Sequence, residues 1–405
     1  MDVATDEFSI CFHTGGKDET PAEYGLTHFC EHMFCKGTPR FPTSRSAKDY
    51  LADNGGTTNA RTGLSRIEFV GRIVARNLNI LIDFIADRLQ NSLFDEKTIE
   101  NERGVITEEL HRALSRDNIK MQSFCDKNLF DLYVPNGKVV LGTSETISSF
   151  TRAQMLEFVA RRMSAHNCLI CISGKIENEQ ELLNTLEEKF AFLPTHDVSV
   201  NQNLTYHPCR AHNNMPGREN IVLEILFPEK FADTVENKYQ NKCVGKFARC
   251  LRQELFDVLR SENGLTYGVT MSGYGNMFTS VFGPRIETSS ENVARVVALA
   301  AKTSYRVYSE KLPTDKDLLR YKNQNELGRA NFLENNASRC ERFVDDWLIY
   351  KNMYDFNAET KMSDSITSAD VIKYTRNYFD GDMSIITHGL KCDGDLEQIW
   401  KDNFK

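Results

Sequence analysis

The chain lacks four things, and each absence removes a class of function. No apolar run approaches the roughly 18 residues of a membrane-spanning helix, so no membrane span is expected. No long basic block is present, and 49 basic against 57 acidic residues leave a net charge of −8. Both features argue against a nucleic-acid partner. The opening Met-Asp-Val-Ala-Thr-Asp has neither a secretory apolar core nor a basic amphipathic leader. The eleven cysteines, an odd number, are scattered without the spacing of a disulfide framework. So many thiols favour a reducing compartment, with the bacterial cytoplasm expected ahead of a mitochondrial matrix, which would need a leader absent from this sequence. Cys168 and Cys171 form a nominal C-x-x-C, but inside a strand-like Cys-Leu-Ile-Cys-Ile they point to opposite faces. Neither a redox nor a metal role is expected of them.

What is present is a soluble, globular composition, 40% apolar and 26% charged over 405 residues. That length is too great for one ordinary core and predicts two domains of about 200 residues. Residues 7–13 alternate as a strand, 43–54 read as a helix, and 57–60 and 67–73 as two strands. Leu78, Leu81, Phe84, Ile85 and Leu89 give 77–91 an amphipathic helical period, and a second long helix covers 95–115. A repeat organises the whole. Thr151–Met163, helical, leads to a strand closing at Gly174; a similar helix from Thr367 leads to a strand closing at Gly389. The polar stretch 194–219, with its prolines and Asn213-Asn214, reads as a linker, and 221–227 opens the second half as a strand.

The chemistry is concentrated in Gly25–Thr38, where His28, Glu31 and His32 form H-x-x-E-H. On a helix the two histidines project about 40° apart, one turn from each other, with Glu31 on the same arc. Gly37 is expected to close that helix, and Leu26, Phe29 and Met33 to anchor it. Two imidazoles at i and i+4 clamp zinc, and an adjacent carboxylate can take a proton from water at the metal. A hydrolytic zinc site needs a third protein ligand. Glu102 and Glu109, seven residues apart, stack within about 20° on a second helix. One of them can bind the metal while the other orients a ligand. Glu108 reads as part of a solvated face.

Four segments in this order resemble the pitrilysin/insulinase-type zinc metallopeptidases, the inverzincins. The likeness is to the short branch that includes mitochondrial processing peptidase and its bacterial relatives. They are Gly25–Thr38, Gly55-Gly56-Thr-Thr-Asn59-Ala60-Arg-Thr62, Glu102–Glu109, and Leu259-Arg260 through Gly264-Leu265-Thr-Tyr267. The resemblance implies His28, His32 and Glu109 as ligands of one Zn2+ per chain, Glu31 as general base and Glu102 as the supporting carboxylate. It places Asn59 and Ala60 on an edge strand that pairs with substrate main chain. It makes Arg260 and Tyr267, from the second half, donors to the oxyanion.

The implied fold is α+β: two homologous domains, each a mainly antiparallel sheet with packed helices, facing across a cleft as half of a clamshell. Residues 1–193 would be the zinc-binding domain, 194–219 the linker, and 220–405 the domain supplying Arg260 and Tyr267. The implied activity is zinc-dependent endopeptidase cleavage of unfolded peptides or leader segments in a chamber enclosed by a homodimer or a heterodimer with a related subunit. The alternative is a non-catalytic scaffold or partner subunit; such relatives lose a ligand or the base, and this chain keeps them all. Three departures stand out. Cys35 stands where the family usually carries a bulky apolar residue and is expected to make the site sensitive to oxidation or to thiol-reactive metals. The glycine-rich segment of the second domain is replaced by Lys242–Cys250, and the chain is expected to lack a first strand or leader.

Overall fold

The computed structural model describes all residues except 1–3, 133–136, 139, 200–203, 277, 311–312, 354 and 391–393. The described chain forms two compact units. One comprises Met1–Ile119, Tyr133–Asn201 and Ala330–Met353; the other comprises Lys120–Leu132, Gln202–Arg329 and Tyr354–Lys405.

In the first unit β1 (Thr5–Phe12), β2 (Gly56–Thr62) and β3 (Ile67–Val74) are antiparallel neighbours. A short pair, β4 (Gly137–Lys138) and β5 (Gly142–Thr143), stands apart from them, and β6 (Cys168–Ser173) pairs antiparallel with β1. The main sheet runs β2-β3-β1-β6, so β2 is an edge strand. Helices α1 (Leu26–Phe34), α2 (Ser44–Asp53), α3 (Leu78–Asn91) and α4 (Glu96–Ser115) follow the sequence pattern closely.

All but the first residue of β1 are buried, because its alternating side chains meet packed layers on both faces of the sheet. Phe8, Ile10 and Phe12 enter a core with Ile67, Phe69 and Ile73 of β3, anchors of α1, and Leu81, Phe84 and Ile85 of α3. The other face carries Ser9, whose hydroxyl donates to Glu68 at 2.7 Å. Helix Asn336–Tyr350 packs on β1 and β6, and the Asn336 amide donates to the Thr5 carbonyl at 2.6 Å.

The second unit repeats this topology. Its strands are β7 (Arg210–Asn214), β8 (Asn220–Pro228), β9 (Val269–Gly275), β10 (Ser280–Ser289) and β11 (Ser384–Gly389), ordered β7-β11-β8-β10-β9. Apart from β7, the connections match the first sheet strand for strand. Ile221, Leu223, Ile225 and Phe227 of β8 point into the main core. The alternate residue Leu226 meets Cys125, Leu129 and Phe130 of α5 (Asp117–Phe130), together with Val281 and Ile386.

Two features depart from the sequence reading. The stretch 194–219, read as a linker, contains β7, which pairs parallel with β11. Its polar residues alternate on an exposed edge and so carry no apolar signature. The boundaries 1–193 and 220–405 also differ from the compact units, because a helix from each half of the sequence covers the outer sheet face of the other unit. Residues 242–250 lie inside helix Lys238–Phe256. Among the described residues no helix is long and apolar enough to cross a membrane.

Candidate active site

The helix that carries His28, Glu31 and His32 is positioned by its ends. Gly25 caps it with φ +91°, and a Cβ there would fall 2.6 Å from the Leu141 carbonyl oxygen, so only glycine fits. The buried Glu19 carboxylate accepts the first orphan donors, Gly25 N–H at 2.8 Å and Thr27 N–H at 2.7 Å. Leu26, Phe29, Cys30, Met33 and Phe34 are at most 2% exposed. At about 1.5–3 kcal/mol for each fully buried large apolar side chain, Leu26, Phe29, Met33 and Phe34 anchor the helix in the core. The helix ends at Phe34, before Gly37, as Cys35 N–H turns back to the His32 carbonyl at 2.9 Å. Gly37, expected to close the helix, lies beyond a turn that a non-glycine residue already makes.

The imidazoles of His28 and His32 stand with ring centroids 4.7 Å apart. Oε2 of Glu109 lies 3.8 Å from His28 Nε2 and 3.6 Å from His32 Nε2. Behind them, Glu102 Oε2 meets His32 Nδ1 at 2.9 Å, and its other oxygen meets Lys36 Nζ at 2.7 Å. The stacked carboxylates of α4 are thus distinguished by depth: Glu102 is buried against the outer nitrogen of His32, while Glu109 is 45% exposed beside both inner ones. Glu108 is exposed. Glu31 is buried next to this group, and the Thr62 hydroxyl donates to its Oε2 at 2.7 Å.

Electrostatics follow from this packing. Burial raises Glu31, and the Thr62 hydrogen bond only partly offsets it. For His32, burial opposes protonation, but the hydrogen bonds to Glu102 and Glu109 prevail and raise it to about 9. The two carboxylates therefore favour a positive charge at this spot. The donor set also suits zinc: two imidazole nitrogens and one carboxylate oxygen, all within 4.8 Å of one another. Tetrahedral zinc brings N and O ligands to about 3.3 Å apart, so Glu109 Oε2, at 3.8 and 3.6 Å from the two imidazole nitrogens, need approach each by only a few tenths of an ångström. The residues fit the metal.

Asn59 and Ala60 lie on edge strand β2, opposite Val70 and Phe69 of β3. Arg260 and Tyr267 belong to the second unit. Arg260 sits in a π-helical turn, Asp257–Glu262, and Gly264 at φ +63° lets the chain reverse before Tyr267. Leu259 and Leu265 are buried on either side of the reversal, and Leu265 N–H donates to the Leu259 carbonyl at 2.8 Å. The Arg260 guanidinium lies over the Tyr267 ring at 5.5 Å, and Tyr267 is 88% exposed.

Thr62 and Lys36 were not singled out by spacing, because neither contact is local in sequence; both do sit inside the segments quoted above. Cys35 does not fit the expectation of a reactive thiol. It is half-buried past the end of α1, and that burial pushes its thiol up, away from the nucleophilic form.

Comparison with known proteins agrees with the geometry. Residues 4–131 match the family described as Insulinase (Peptidase family M16), and residues 149–325 match the Peptidase M16 inactive domain. A Rickettsia bellii protein named an uncharacterized zinc protease is 26% identical over 367 residues, covering 90% of this chain and 87% of its own length. A Dictyostelium discoideum protein named mitochondrial-processing peptidase subunit beta is 33% identical over 193 residues, 46% of this chain and 39% of its own. The crystal structure of a peptidase M16 inactive domain from Pseudomonas fluorescens shares the fold, with a TM-score of 0.82 over 97% of this chain and 95% of its own at 15% identity. Both halves are matched in order, and the chain belongs to the insulinase family of peptidases, family M16.

Proposed function

We propose that the protein is a zinc-dependent endopeptidase that cleaves unfolded peptides or leader segments. The observation that carries this reading is the convergence of His28, His32 and Glu109 beside the buried Glu31. His28, His32 and Glu109 would hold the zinc ion, which when bound acidifies water and polarises the scissile carbonyl.

The chain's own residues supply the rest. Glu102 accepts from His32 Nδ1, which leaves Nε2 as the basic nitrogen facing Glu109. Thr62 holds one oxygen of Glu31, leaving the other to take a proton from the attacking water and pass it to the departing amine. The proton taken from water thus leaves on the new amino terminus, and the new carboxylate keeps the water oxygen. The exposed edge of β2, with Asn59 and Ala60, would bind substrate main chain as an added strand. Arg260 and Tyr267 are proposed as donors to the carbonyl oxygen that gains negative charge; an exposed phenol and guanidinium suit that task. A homodimer, or a heterodimer with a related subunit, is proposed in line with the Dictyostelium relative being named as one subunit. The ten described cysteines are free thiols, which supports a reducing compartment, the bacterial cytoplasm ahead of the mitochondrial matrix.

A non-catalytic partner role is the second reading, favoured by the match of residues 149–325 to a domain described as inactive. The complete donor set on one chain favours the enzyme. A quenched-peptide assay with metal analysis separates them. Turnover is expected for wild type and lost both in Glu31→Gln and after chelation; wild-type turnover equal to that of Glu31→Gln would sink the peptidase.

A further inference from the structure

The second unit contains a buried group of metal-ligating side chains that the proposed peptidase chemistry does not use. Cys125 of α5, Glu224 of β8 and His388 of β11 come from three distant parts of the sequence and are all 0% exposed. Cys125 Sγ lies 3.1 Å from Glu224 Oε2 and 3.6 Å from His388 Nε2, and that nitrogen is 3.4 Å from the same carboxylate oxygen. We propose that Cys125, Glu224 and His388 form a second metal site, taking a divalent cation of the zinc class in a structural role.

The geometry carries the proposal. With Zn–S of about 2.3 Å and Zn–N and Zn–O of about 2.0–2.1 Å, a tetrahedral ion separates N and O ligands by about 3.3 Å and sulfur from either by about 3.5 Å. The three spacings describe one face of such a tetrahedron to within a few tenths of an ångström. Thiolate, imidazole and carboxylate together form a borderline-soft set that suits zinc or cobalt and not magnesium or calcium.

The surroundings orient the donors. Oε1 of Glu224 is held by the Ser272 hydroxyl at 3.0 Å, the Tyr274 hydroxyl at 2.9 Å and Arg285 Nη1 at 3.2 Å. Oε2 is thereby left to face the thiol and the imidazole. The Tyr274 hydroxyl is also 3.0 Å from Oε2. Asn213 Nδ2 lies 3.1 Å from His388 Nδ1 and donates to it, which places the proton of the neutral imidazole on Nε2, the proton that a bound cation would displace. Leu129, Phe130, Leu226, Val281 and Ile386 wall the group in apolar surface. With its three donors 0% exposed and the Tyr274 hydroxyl beside them as a further oxygen donor, the site would hold structure together instead of activating water. Here it would pin α5, contributed by the first half of the sequence, onto the sheet of the second unit.

Without a metal the same atoms make a hydrogen-bonded hub on Glu224. The two states differ by the protons on Cys125 and His388, which a bound cation displaces. They also differ in spectrum, because the His28/His32/Glu109 group contains no sulfur.

The full chain is produced in cobalt-supplemented medium and its metal content and absorption are measured. Thiolate-to-cobalt charge-transfer absorption is expected in wild type and in a His28→Ala/His32→Ala variant, and is expected to be lost in Cys125→Ser. Metal content should be two per chain in wild type and one in either variant. One metal per chain with the sulfur absorption would remove the first site and keep this one. Absence of the absorption in wild type, or its persistence in Cys125→Ser, overturns the proposal. If Cys125→Ser does not fold, the double variant decides alone: metal and absorption retained support the site, and neither retained rejects it.

Discussion

Glu102 Oε2 lies 2.9 Å from His32 Nδ1, and this contact sets which imidazole nitrogen turns toward Glu109. Lys36 holds the other oxygen of the same carboxylate, so His32 is oriented by a group that is itself fixed. Glu102→Gln keeps the shape but drops the charge. Zinc affinity, measured by chelator competition, is expected to fall about tenfold or more, within the usual range for such partners. Affinity equal to wild type would mean that the contact orients nothing.

Thr62→Val removes the one hydroxyl that donates to Glu31 while preserving volume. Burial then raises Glu31 unopposed by that bond. The acid limb of kcat/KM should move to higher pH, because the base is protonated over a wider range. Its plateau should fall by roughly tenfold, the scale of a lost hydrogen bond to a charged group. A parallel fall at every pH, with no movement of the limb, would contradict this role.

Two glycines test local strain against steric collision. Gly264 has φ +63° with open space around its Cβ position, so Gly264→Ala should cost only the conformational penalty of about 1–2 kcal/mol. Gly25 has φ +91° and backbone atoms in the way, so Gly25→Ala should cost about 3 kcal/mol or more and also lower zinc content. Denaturant melts compare the two, and equal losses would refute the distinction.

Glu359 is buried with Lys238 on one oxygen and Lys242, at 2.6 Å, on the other. Burial alone would raise it, but the two lysine hydrogen bonds prevail and hold it below its ordinary 4.5. A depressed carboxylate contributes stability that is fully present above the unfolded pKa of about 4.3 and is lost as pH falls through the lower folded value. Unfolding midpoints should therefore drop below about pH 4.3 in wild type. In Glu359→Gln that part of the acid slope should be missing, with a lower midpoint at neutral pH.

Local pattern made much of this fold legible. The helical period predicted 77–91 and 95–115, and α3 and α4 cover 78–91 and 96–115. The strand predicted at 168–173 is β6 itself. β7 escaped because an exposed, polar edge strand has no apolar alternation to read. The helix wheel placed Glu102 and Glu109 on one stripe, yet it could not rank them. Their positions differ in depth below the surface, and depth is a property of the packed helix pair.

By itself the sequence determined what depends on neighbours within a turn or two. It set His28 and His32 side by side with Glu31, put glycine where a left-handed cap is required, and laid out two runs of strands and helices with a shared order. Tertiary structure alone decided the rest. It brought Thr62 to Glu31 and Lys36 to Glu102, moved one helix of each half onto the other unit's sheet, and gathered Cys125, Glu224 and His388. Those contacts join residues from 31 to 263 positions apart where they involve Thr62 or Cys125. No periodicity spans such distances; only the closing of sheets and helices around a core selects which side chains meet.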